Sequence, residues 1–428
     1  MDNRHFDIIV VGGGPAGLMA AIAAAQQGRS VCLVEKGKRL GKKLIISGGG
    51  RCNVTNRLPV EEIIAHLPGN GRFLYGAFAQ FNNEDIIRFF QERGVQLKEE
   101  DHGRMFPVDD RSTTILHTLE KELQQLNVQL IMNDPVVKIS FSPLPFTLEL
   151  SSSHFIRSKS IIVAVGGKAV PETGSTGDGY AWAQAAGHTI TPLFPTEVPI
   201  VSRSNIIEGR ELQGLSLRNI ALTVYSHKGK RIITHRGDMI FTHFGLSGPA
   251  ALRCSQFVVK ELAKVPEKPV QMEIDLYPDH SEPQLMEEIT QNLAQEGKRS
   301  IRNLLKPYIP ERMINPILGF AQIQPDIIGD SLQQKAWQEL VHLLKHFPIA
   351  VHGTLPLEKA FVTGGGVSIK EIDPKTMGSR LLPGLYFAGE ILDIHGYTGG
   401  YNITAALVTG YVAGLHAAQW VQGDTCNY

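Results

Sequence analysis

The chain has 428 residues and a hydrophobic content of 43%, so it can bury the cores of two or three domains. Lysine plus arginine equals aspartate plus glutamate, at 42 residues each, which excludes an overall attraction to polyanions and leaves only local basic patches. The four cysteines, Cys32, Cys52, Cys254 and Cys426, show no CxxC spacing, no signal peptide is recognisable, and no apolar run reaches the roughly twenty residues of a membrane span, so a cytoplasmic protein is expected.

The first element is a βαβ unit over residues 6–37, in which an apolar strand, an alanine-rich helix and a second strand follow one another. The turn after the first strand has the spacing Gly12-x-Gly14-x-x-Gly17. In a dinucleotide-binding fold these glycines permit, in that order, a tight turn, the approach of the pyrophosphate and close packing of the helix. Glu35 closes the second strand, where it can accept hydrogen bonds from the adenosine ribose. A glycine-rich turn in any α/β protein is the alternative, but the complete order of elements favours a dinucleotide.

The next segment, "GKKLIISGGGRCNVTN" at residues 41–56, places four glycines beside two lysines and an arginine and contains no acidic residue. A nicotinamide dehydrogenase would usually continue with further βα units at this point, so the loop favours FAD. Successive N–H groups of residues 47–50 can face the diphosphate or the isoalloxazine edge of that cofactor, as in anion-binding nests. A flexible solvated loop and a contact with nucleic acid are the alternatives.

Beyond this loop the chain leaves the nucleotide domain and later returns to it. Residues 160–188 contain a strand that ends at Gly166-Gly167, then a second glycine-rich turn and a helix. The middle of the chain has short alternating strands, then amphipathic helices, then a strand that leads back. Residues 385–420 repeat the earlier plan, with Gly389-Glu390 after a strand and a helix from about Asn402.

These patterns predict an α/β fold. A Rossmann-like FAD-binding domain of three-layer ββα architecture is interrupted by an inserted β-rich, barrel-like lobe and a small helical lobe. The predicted boundaries are 1–190 and 354–428 for the FAD-binding domain, 191–280 and 346–353 for the β-rich lobe, and 281–345 for the helical lobe.

The motifs "GKKLIISGGGRCNVTN", "TGDGYAWAQAAG", "FTHFGLSGPAAL" and "AFVTGGGV", with the C-terminal strand, acid and Gly-Gly-headed helix, resemble the BaiN/RdsA-type family of NAD(P)/FAD-dependent oxidoreductases almost end to end. Those flavoproteins have an FAD domain of the glutathione-reductase or fumarate-reductase type. Their usual C-terminal acid is aspartate, so the contact of Glu390 with the cofactor is expected to be longer or water-mediated. Fumarate-reductase relatives often tether FAD through a histidine in the loop at 41–56, and this loop has none, so noncovalent FAD is expected.

The glycine pattern and the resemblance together define the expected cofactor-binding residues. They are Gly12, Gly14, Pro15, Ala16, Gly17, Glu35, Lys36, Lys42, Ser47, Gly48, Gly49, Gly50, Arg51, Cys52, Asn53, Val136, Gly166, Gly167, Gly389, Glu390, Gly400, Tyr401, Asn402 and Ile403. Val136 is assigned to the adenine by analogy with comparable flavoproteins. The helix that starts near Asn402 is expected to raise the flavin potential, because a reduced flavin is anionic at N1/O2 and a helix N-terminus favours negative charge.

The proton donor is not identifiable from the sequence, and the candidates are Cys52, His243, His395 and Tyr397, which lie in or beside the motif loops. A cysteine beside glycines is more often a packing residue. No second GxGxxG with a strand and a helix around it is present, so no dedicated nicotinamide domain is expected. Either NAD(P)H binds transiently at the flavin face or another electron donor serves. No metal site is expected.

Three functions agree with this sequence. The first is reduction of a carbon–carbon double bond in a small molecule, and the second is reduction of uridine to dihydrouridine in ribosomal RNA, both of which the resemblance implies for members of the family. Phosphate contacts in the RNA case would come from the basic loop and from residues of the β-rich lobe, Arg203, Arg210, Arg218, Lys228, Lys230, Arg231 and Arg236. The third is a non-enzymatic FAD-binding module. No membrane or DNA partner is expected, and the assembly state is open.

Overall fold

The computed structural model describes residues 4–424. Its first part contains the strands β1 Arg4–Val11, β2 Val31–Glu35, β3 Thr55–Asn56, β4 Leu97–Glu100, β5 Arg104–Pro107, β6 Gln129–Met132, β7 Val136–Ser140, β8 Phe146–Leu150, β9 Phe155–Val163 and β10 Ile190–Thr196. The helices of this part are α1 Pro15–Gln26, α2 Lys42–Ile46, α3 Val60–Ala65, α4 Tyr75–Phe78, α5 Asn83–Glu92, α6 Ser112–Gln125 and α7 Asp178–Ala185.

The middle part contains the strands β11 Ile200–Val201, β12 Ser216–Tyr225, β13 Arg231–Phe241, β14 Gly245–Ser247, β15 Val270–Asp275, β16 Phe347–Val351 and β17 Gly353–Thr354. Its helices are α8 Asn205–Glu208, α9 Pro249–Leu262, α10 Glu282–Glu296, α11 Ile301–Leu305, α12 Glu311–Phe320 and α13 Gln334–Lys345. The last part contains β18 Val362–Val367, β19 Leu385–Phe387 and α14 Tyr401–Asp424.

The chain divides into two compact units. Unit 1 consists of the residues up to Phe194 and those from Phe361 onward, and unit 2 is Pro195–Ala360. The sequence placed these two boundaries after residues 190 and 353. It also separated a helical lobe from the β-rich lobe, whereas the structure groups both in unit 2.

The main sheet of unit 1 has the strand order β6-β2-β1-β9-β8-β7, and β19 pairs with β9. The strands β6, β2, β1, β9 and β19 run parallel, as the βαβ pattern predicts. The long strand β9 also pairs antiparallel with β8, which pairs antiparallel with β7. Through β9 the antiparallel strands extend the parallel sheet, and the glycine-rich turns follow the parallel strands β1, β9 and β19. The chain thus has the mixed α/β, Rossmann-like fold that was predicted.

Helices α1 and α14 pack face to face in unit 1 through small residues. A Cβ on Gly410 would lie 2.2 Å from the carbonyl oxygen of Ala16, and one on Gly414 would lie 2.2 Å from that of Ala20. Helix α1 is buried over almost its whole circumference, which agrees with its alanine-rich, uniformly apolar sequence. The two glycines therefore set how closely the first and last helices approach.

Unit 2 is built on a sheet of order β16-β15-β12-β13-β14-β11-β17, which confirms the predicted β-rich insertion. Helices α10 to α13 bury their apolar faces in the same core as this sheet, and Trp337, Leu340 and Leu344 of α13 lie in it. This shared core explains why the helical segment is not a separate unit. None of the helices among residues 4–424 combines the length and the apolar character that crossing a bilayer demands.

Candidate functional site

The turn between β1 and α1 is packed tightly at two of its glycines and open at the third. A Cβ on Gly12, where φ is 106°, would lie 2.5 Å from the carbonyl oxygen of Ala164, and a Cβ on Gly17 would lie 1.8 Å from the carbonyl oxygen of Gly12. A Cβ on Gly14, the N-cap of α1, would meet nothing within 4 Å. The open position lies at the start of α1, where the first-turn N–H groups have no acceptor within the helix.

Glu35, at the end of β2, is held beside this turn by two backbone N–H groups. Its Oε2 accepts a hydrogen bond from Gly13 at 2.8 Å, and its Oε1 accepts one from Gly37 at 2.7 Å. Each carboxylate oxygen retains a lone pair, so an additional donor can be accepted. The predicted contact with a ribose hydroxyl stays a prediction.

The loop at 41–56 has a defined conformation. Helix α2 leads into a short 3-10 turn at Ser47–Gly50, in which the three glycines have φ values of 57°, 69° and 87°. A Cβ on Gly49 or on Gly50 would meet nothing within 4 Å. Consecutive left-handed residues of this kind turn backbone N–H groups toward one side, which suits an anionic ligand.

Acidic residues from distant parts of the chain neutralise this loop. Lys43 Nζ lies 2.6 Å from Glu390 Oε2, and Arg51 Nη1 lies 2.7 Å from Glu100 Oε1 and 3.2 Å from Asp110 Oδ1. The hydrogen bond from Arg51 lowers the pKa of the Glu100 carboxyl. Two of the loop's three basic side chains, those of Lys43 and Arg51, are therefore held in internal ion pairs.

The C-terminal motif approaches the first glycine turn. Gly389 follows β19, has φ 78°, and a Cβ on it would lie 2.8 Å from Cβ of Ala16. The N–H of Gly389 donates to Thr409 Oγ1 at 2.9 Å. Glu390 uses both carboxylate oxygens, one with Lys43 and one as acceptor of the Thr363 N–H at 2.8 Å. Glu390 thus joins the basic loop to β18, and a direct contact with the cofactor stays a prediction.

The N-terminus of α14 approaches the end of the basic loop. A Cβ on Gly400, where φ is 91°, would lie 2.9 Å from Asn53 Oδ1 and 2.9 Å from the carbonyl oxygen of Thr55. Thr55 Oγ1 and Thr404 Oγ1 are 2.8 Å apart and hydrogen-bonded. The helix begins at Tyr401, close to the predicted start at Asn402.

The side chain of Asn402 closes the loop before α14. Its Oδ1 accepts from the N–H of Gly396 at 2.8 Å, and its Nδ2 donates to the carbonyl oxygens of Gly396 at 2.9 Å and Tyr397 at 3.2 Å. The ring of Tyr401 stacks on His66 with centroids 4.6 Å apart. These contacts fix the first turn of the helix, which also contains Ile403.

The remaining expected cofactor residues lie in unit 1 as well. Val136 is buried and begins β7, soon after Asn133, whose N–H donates to the Gly37 carbonyl oxygen at 3.0 Å. A Cβ on Gly167 would lie 3.1 Å from Glu390 Oε1. Gly166 is left-handed, Lys36 pairs with Asp178, and Lys42 Nζ lies close to Gly37.

Residues from three distant glycine clusters are thus adjacent, and the site fits FAD on two observations. Open space adjoins Gly14, Gly49 and Gly50. Two buried polar atoms, Asn53 Oδ1 and the Tyr180 hydroxyl, have no hydrogen-bond partner among the described residues, and buried polar atoms are rarely left so. Asn53 Oδ1 offers an acceptor and Tyr180 a donor to a polar ligand.

The four candidate proton donors lie in different environments. Cys52 is fully buried, and burial raises the pKa of its thiol to about 12, which makes it a weak acid. His395 and Tyr397 are buried in unit 1, and the imidazole of His395 lies over Gly69 and edge-on to Phe194, with centroids 5.5 Å apart. His243 is an exposed turn residue of unit 2.

Thr363 and Tyr180 are two further residues of the site that were not predicted from the sequence. Thr363 Oγ1 accepts hydrogen bonds from the N–H groups of Lys168 at 2.9 Å and Ala169 at 3.0 Å, which holds the second glycine turn against β18. Burial, with the nearby Glu390 carboxylate, raises the pKa of Tyr180, so its hydroxyl keeps its proton at neutral pH. Both residues stand next to glycines in the quoted motifs, and this adjacency is the signal that could have marked them.

Comparisons with known proteins agree with this geometry. The family model described as the HI0933-like protein Rossmann domain matches residues 6–416. A ribosomal RNA dihydrouridine synthase of Escherichia coli strain K12 is 33% identical over 400 residues, which is 93% of this chain and 94% of that protein. A 3-dehydro-bile acid delta(4,6)-reductase of Clostridium scindens is 29% identical over 419 residues, covering 96% of this chain and 98% of that protein. A solved structure of a quinol-fumarate reductase with menaquinol molecules covers 99% of this chain and 72% of its own at 16% identity, with a TM-score of 0.52, and indicates a shared fold.

Proposed function

The chain belongs to the HI0933-like family of FAD-dependent oxidoreductases, and from this premise we propose that it reduces a carbon–carbon double bond conjugated with a carbonyl group. The family consists of enzymes, so a non-enzymatic FAD-binding module is not retained as an alternative. The observation that carries the proposal is that three glycine clusters are adjacent in unit 1, since an added Cβ on Gly389 would lie 2.8 Å from Ala16 and one on Gly400 would lie 2.9 Å from Asn53.

The names of the two relatives both describe the reduction of a double bond conjugated with a carbonyl group. Dihydrouridine is uridine in which the C5–C6 double bond, conjugated with the ring carbonyl, has been reduced. The 4,6 double bonds of a 3-oxo bile acid are conjugated with its carbonyl in the same way. In both, a hydride adds to the carbon remote from the carbonyl, and the resulting negative charge is delocalised onto the carbonyl oxygen until a proton arrives.

For the cofactor, we assign the two halves of FAD to two parts of unit 1. The turn from Gly12 to Gly17, with Glu35, would hold the adenosine and pyrophosphate, and residues 47–53 with the first turn of α14 would hold the flavin. FAD bound there would, once reduced by two electrons from transiently bound NAD(P)H, provide hydride transfer to the substrate. The loop at 41–56 has no histidine, which supports noncovalent binding.

The chain's own residues would orient the flavin and stabilise charge. The α14 N-terminus offers partial positive charge to the anionic edge of a reduced flavin. Asn53 Oδ1, buried and without a hydrogen-bond partner among the described residues, can accept a donor from the ligand. The Lys43–Glu390 ion pair holds the loop against β18, because Glu390 also accepts the Thr363 N–H.

A group of exposed cations in unit 2 favours uridine in ribosomal RNA as the substrate. The hairpin of β12 and β13 and the segments beside it carry exposed cations. Among these residues of unit 2 the described ion pairs include only Arg236, which lies 2.9 Å from Asp279. The exposed cations without a described acidic partner are Arg203, Arg210, Arg218, Lys228, Lys230 and Arg231. A local basic surface of this kind can contact phosphates although the net charge is zero.

The proposal is tested by measuring dihydrouridine in ribosomal RNA from cells with the gene, without it, and with the gene restored. We expect one or more dihydrouridines to disappear with the gene and return with it. Unchanged dihydrouridine would exclude the RNA substrate. Anaerobic mixing of the holoenzyme with NADH or NADPH, followed at the flavin absorbance, tests the reductase itself, because no bleaching with either would exclude a nicotinamide donor.

A further inference from the structure

Unit 2 carries a cluster of two histidines and a glutamate that the proposed reductase function does not use. Glu282, His342 and His346 each offer one potential ligand atom, and these atoms lie within 4.8 Å of one another. Glu282 Oε1 is 3.0 Å from His342 Nδ1 and 3.4 Å from His346 Nε2. The rings of His342 and His346 are stacked with centroids 4.6 Å apart.

The local structure dictates this arrangement. His342 and His346 are four residues apart at the C-terminal end of α13, so they lie on the same side of the helix. Glu282 is the first residue of α10, and its position is fixed because Ser281 and Gln284 form a capping box. The cluster therefore joins the start of one helix to the end of another.

The distances match those between ligands of a tetrahedral ion. Zinc binds histidine nitrogen and carboxylate oxygen at about 2.0–2.2 Å, which places neighbouring ligands about 3.4 Å apart. The two distances from Glu282 Oε1, 3.0 and 3.4 Å, lie close to this value. Both histidines contact the same carboxylate oxygen, Glu282 Oε1.

A second carboxylate completes the pattern expected of a metal ligand. His346 Nδ1 lies 2.9 Å from Glu273 Oε2, and the Tyr225 hydroxyl donates to the same oxygen at 2.7 Å. A histidine that ligates a metal through one nitrogen usually donates its other N–H to a carboxylate, which sets the tautomer and the ring orientation. Here this leaves Nε2 of His346 for the ion.

We propose that Glu282, His342 and His346 form a Zn²⁺ site that links α10 to α13, with the fourth position open to water or another ligand. Two neutral imidazoles and one carboxylate form a ligand set that suits zinc. The side chains of Glu282, His342 and His346 are 43%, 52% and 39% exposed, so an ion can enter from solvent. The site is independent of the reductase activity, and the sequence analysis predicted no metal.

The test is equilibrium dialysis of the tag-free, full-length holoenzyme against ZnCl₂ with a competing zinc indicator. We expect one Zn²⁺ per chain at this site and an increase of the thermal unfolding temperature when it binds. His342→Ala and His346→Ala are expected to weaken binding at least about tenfold, and Glu273→Gln by about 10- to 100-fold. His154→Ala, an exposed histidine of unit 1, is the matched control and should leave binding unchanged.

Co²⁺ provides a readout that does not depend on stability. Co²⁺ in place of Zn²⁺ should give the intense visible bands of tetrahedral coordination in the wild type and lose them in His346→Ala. Absence of stoichiometric Zn²⁺ binding, or equal binding by the wild type and both histidine variants, would overturn the proposal. Loss of flavin reduction with intact Zn²⁺ binding would contradict the reductase function and would still support the Zn²⁺ site.

Discussion

Lys43 and Glu390, which are 347 residues apart in the chain, form an ion pair of 2.6 Å in unit 1. The second carboxylate oxygen of Glu390 accepts the Thr363 N–H at 2.8 Å. Glu390, which the sequence assigned to the cofactor, therefore connects the basic loop to β18 in this structure.

We expect removal of this pair to loosen the loop. The side chains of Lys43 and Glu390 are only 27% and 19% exposed, so their coupling should exceed that of a surface pair. A double-mutant cycle with Lys43→Met and Glu390→Gln, measured by denaturant unfolding, should give a coupling of about 1 kcal/mol or more and a weaker affinity for FAD. The exposed pair Arg299–Glu296 is the control, with a coupling below about 0.5 kcal/mol. Equal coupling energies for Lys43–Glu390 and Arg299–Glu296 would contradict a stabilising role of the Lys43–Glu390 pair in the loop.

In the turn between β1 and α1, we expect Gly17 to be needed for packing and Gly14 for binding of FAD. Gly17→Ala would force a methyl group against the Gly12 carbonyl oxygen, and we expect the free energy of unfolding to fall by about 3 kcal/mol or more. In Gly14→Ala the added methyl group meets nothing within 4 Å, so the free energy of unfolding should change by less than about 1 kcal/mol. The affinity for FAD should nevertheless fall at least about tenfold, because the methyl group occupies the space expected for the pyrophosphate. Thermal unfolding of the apoprotein and flavin fluorescence titration measure the two effects. Full FAD affinity in Gly14→Ala would exclude this turn as the pyrophosphate site.

The N-terminus of α14 should raise the flavin potential. Gly400→Asp is unsuitable as a test because a side chain there would strike Asn53 and Thr55. At Asn402 we therefore compare the neutral Asn402→Ala, which loses the hydrogen bonds of Nδ2, with Asn402→Asp, which loses the same bonds and adds a charge. The negative charge of Asn402→Asp should lower the potential by about 20–40 mV, which corresponds to about 1–2 kcal/mol for two electrons. Gln419→Glu adds the same charge near the other end of α14 and should leave the potential unchanged. Equal potentials in Asn402→Asp and Asn402→Ala would exclude the helix N-terminus from tuning the flavin.

The stability of unit 1 should depend on pH through His188 and Glu371, whose side chains are 3.3 Å apart. Burial lowers the pKa of His188 from 6.5, so its contribution is complete above about pH 6.5 and is lost as the pH falls. The pKa of Glu371 is also below its ordinary 4.5, because hydrogen bonds from Thr189 and the nearby His188 outweigh burial, and this contribution is lost at still lower pH. We expect the free energy of unfolding to fall below pH 6.5 with a slope of up to about 1.4 kcal/mol per pH unit. His188→Gln should remove the part of the slope that starts at pH 6.5, and an unchanged slope would contradict this assignment.

If the basic hairpin of unit 2 contacts RNA, its cations should determine the salt dependence of binding. Replacing the cations at its tip by alanine should reduce the slope of log affinity against log salt by about two to three, and the residues are Lys228, Lys230 and Arg231. Three other exposed lysines of unit 2 serve as the control, Lys298, Lys306 and Lys335. The measurement is filter binding of ribosomal RNA from cells that lack the gene. Equal slopes for both triple variants would exclude the hairpin as the RNA contact.

Much of unit 1 could be predicted because its signals are local. The glycines at 12, 14 and 17 lie in one turn, and the strands and helices around them have strong periodicity. The partners of the basic loop could not be predicted, since Glu100 and Glu390 are far along the chain and no local pattern links them to Arg51 and Lys43. Only the folded sheet brings these charges together.

The limits of the prediction in unit 2 have a different cause. The helices of 281–345 were recognised by their amphipathic pattern, but that pattern does not show which sheet they cover, so a separate lobe was predicted. The spacing of His342 and His346 was visible as a histidine pair on one face of a helix. The glutamate that meets them comes from another helix, and its position follows only from the fold.

The pairing of β19 with β9 and the packing of α14 on α1 have a consequence for how this protein is made. Both elements follow unit 2 in the chain, so unit 1 cannot be completed until all of unit 2 has been translated. Unit 2 is contiguous and can fold earlier, during synthesis. A stop codon between unit 2 and α14 would therefore leave α1 without the helix that covers it, and chaperones and proteases would be expected to act on the product.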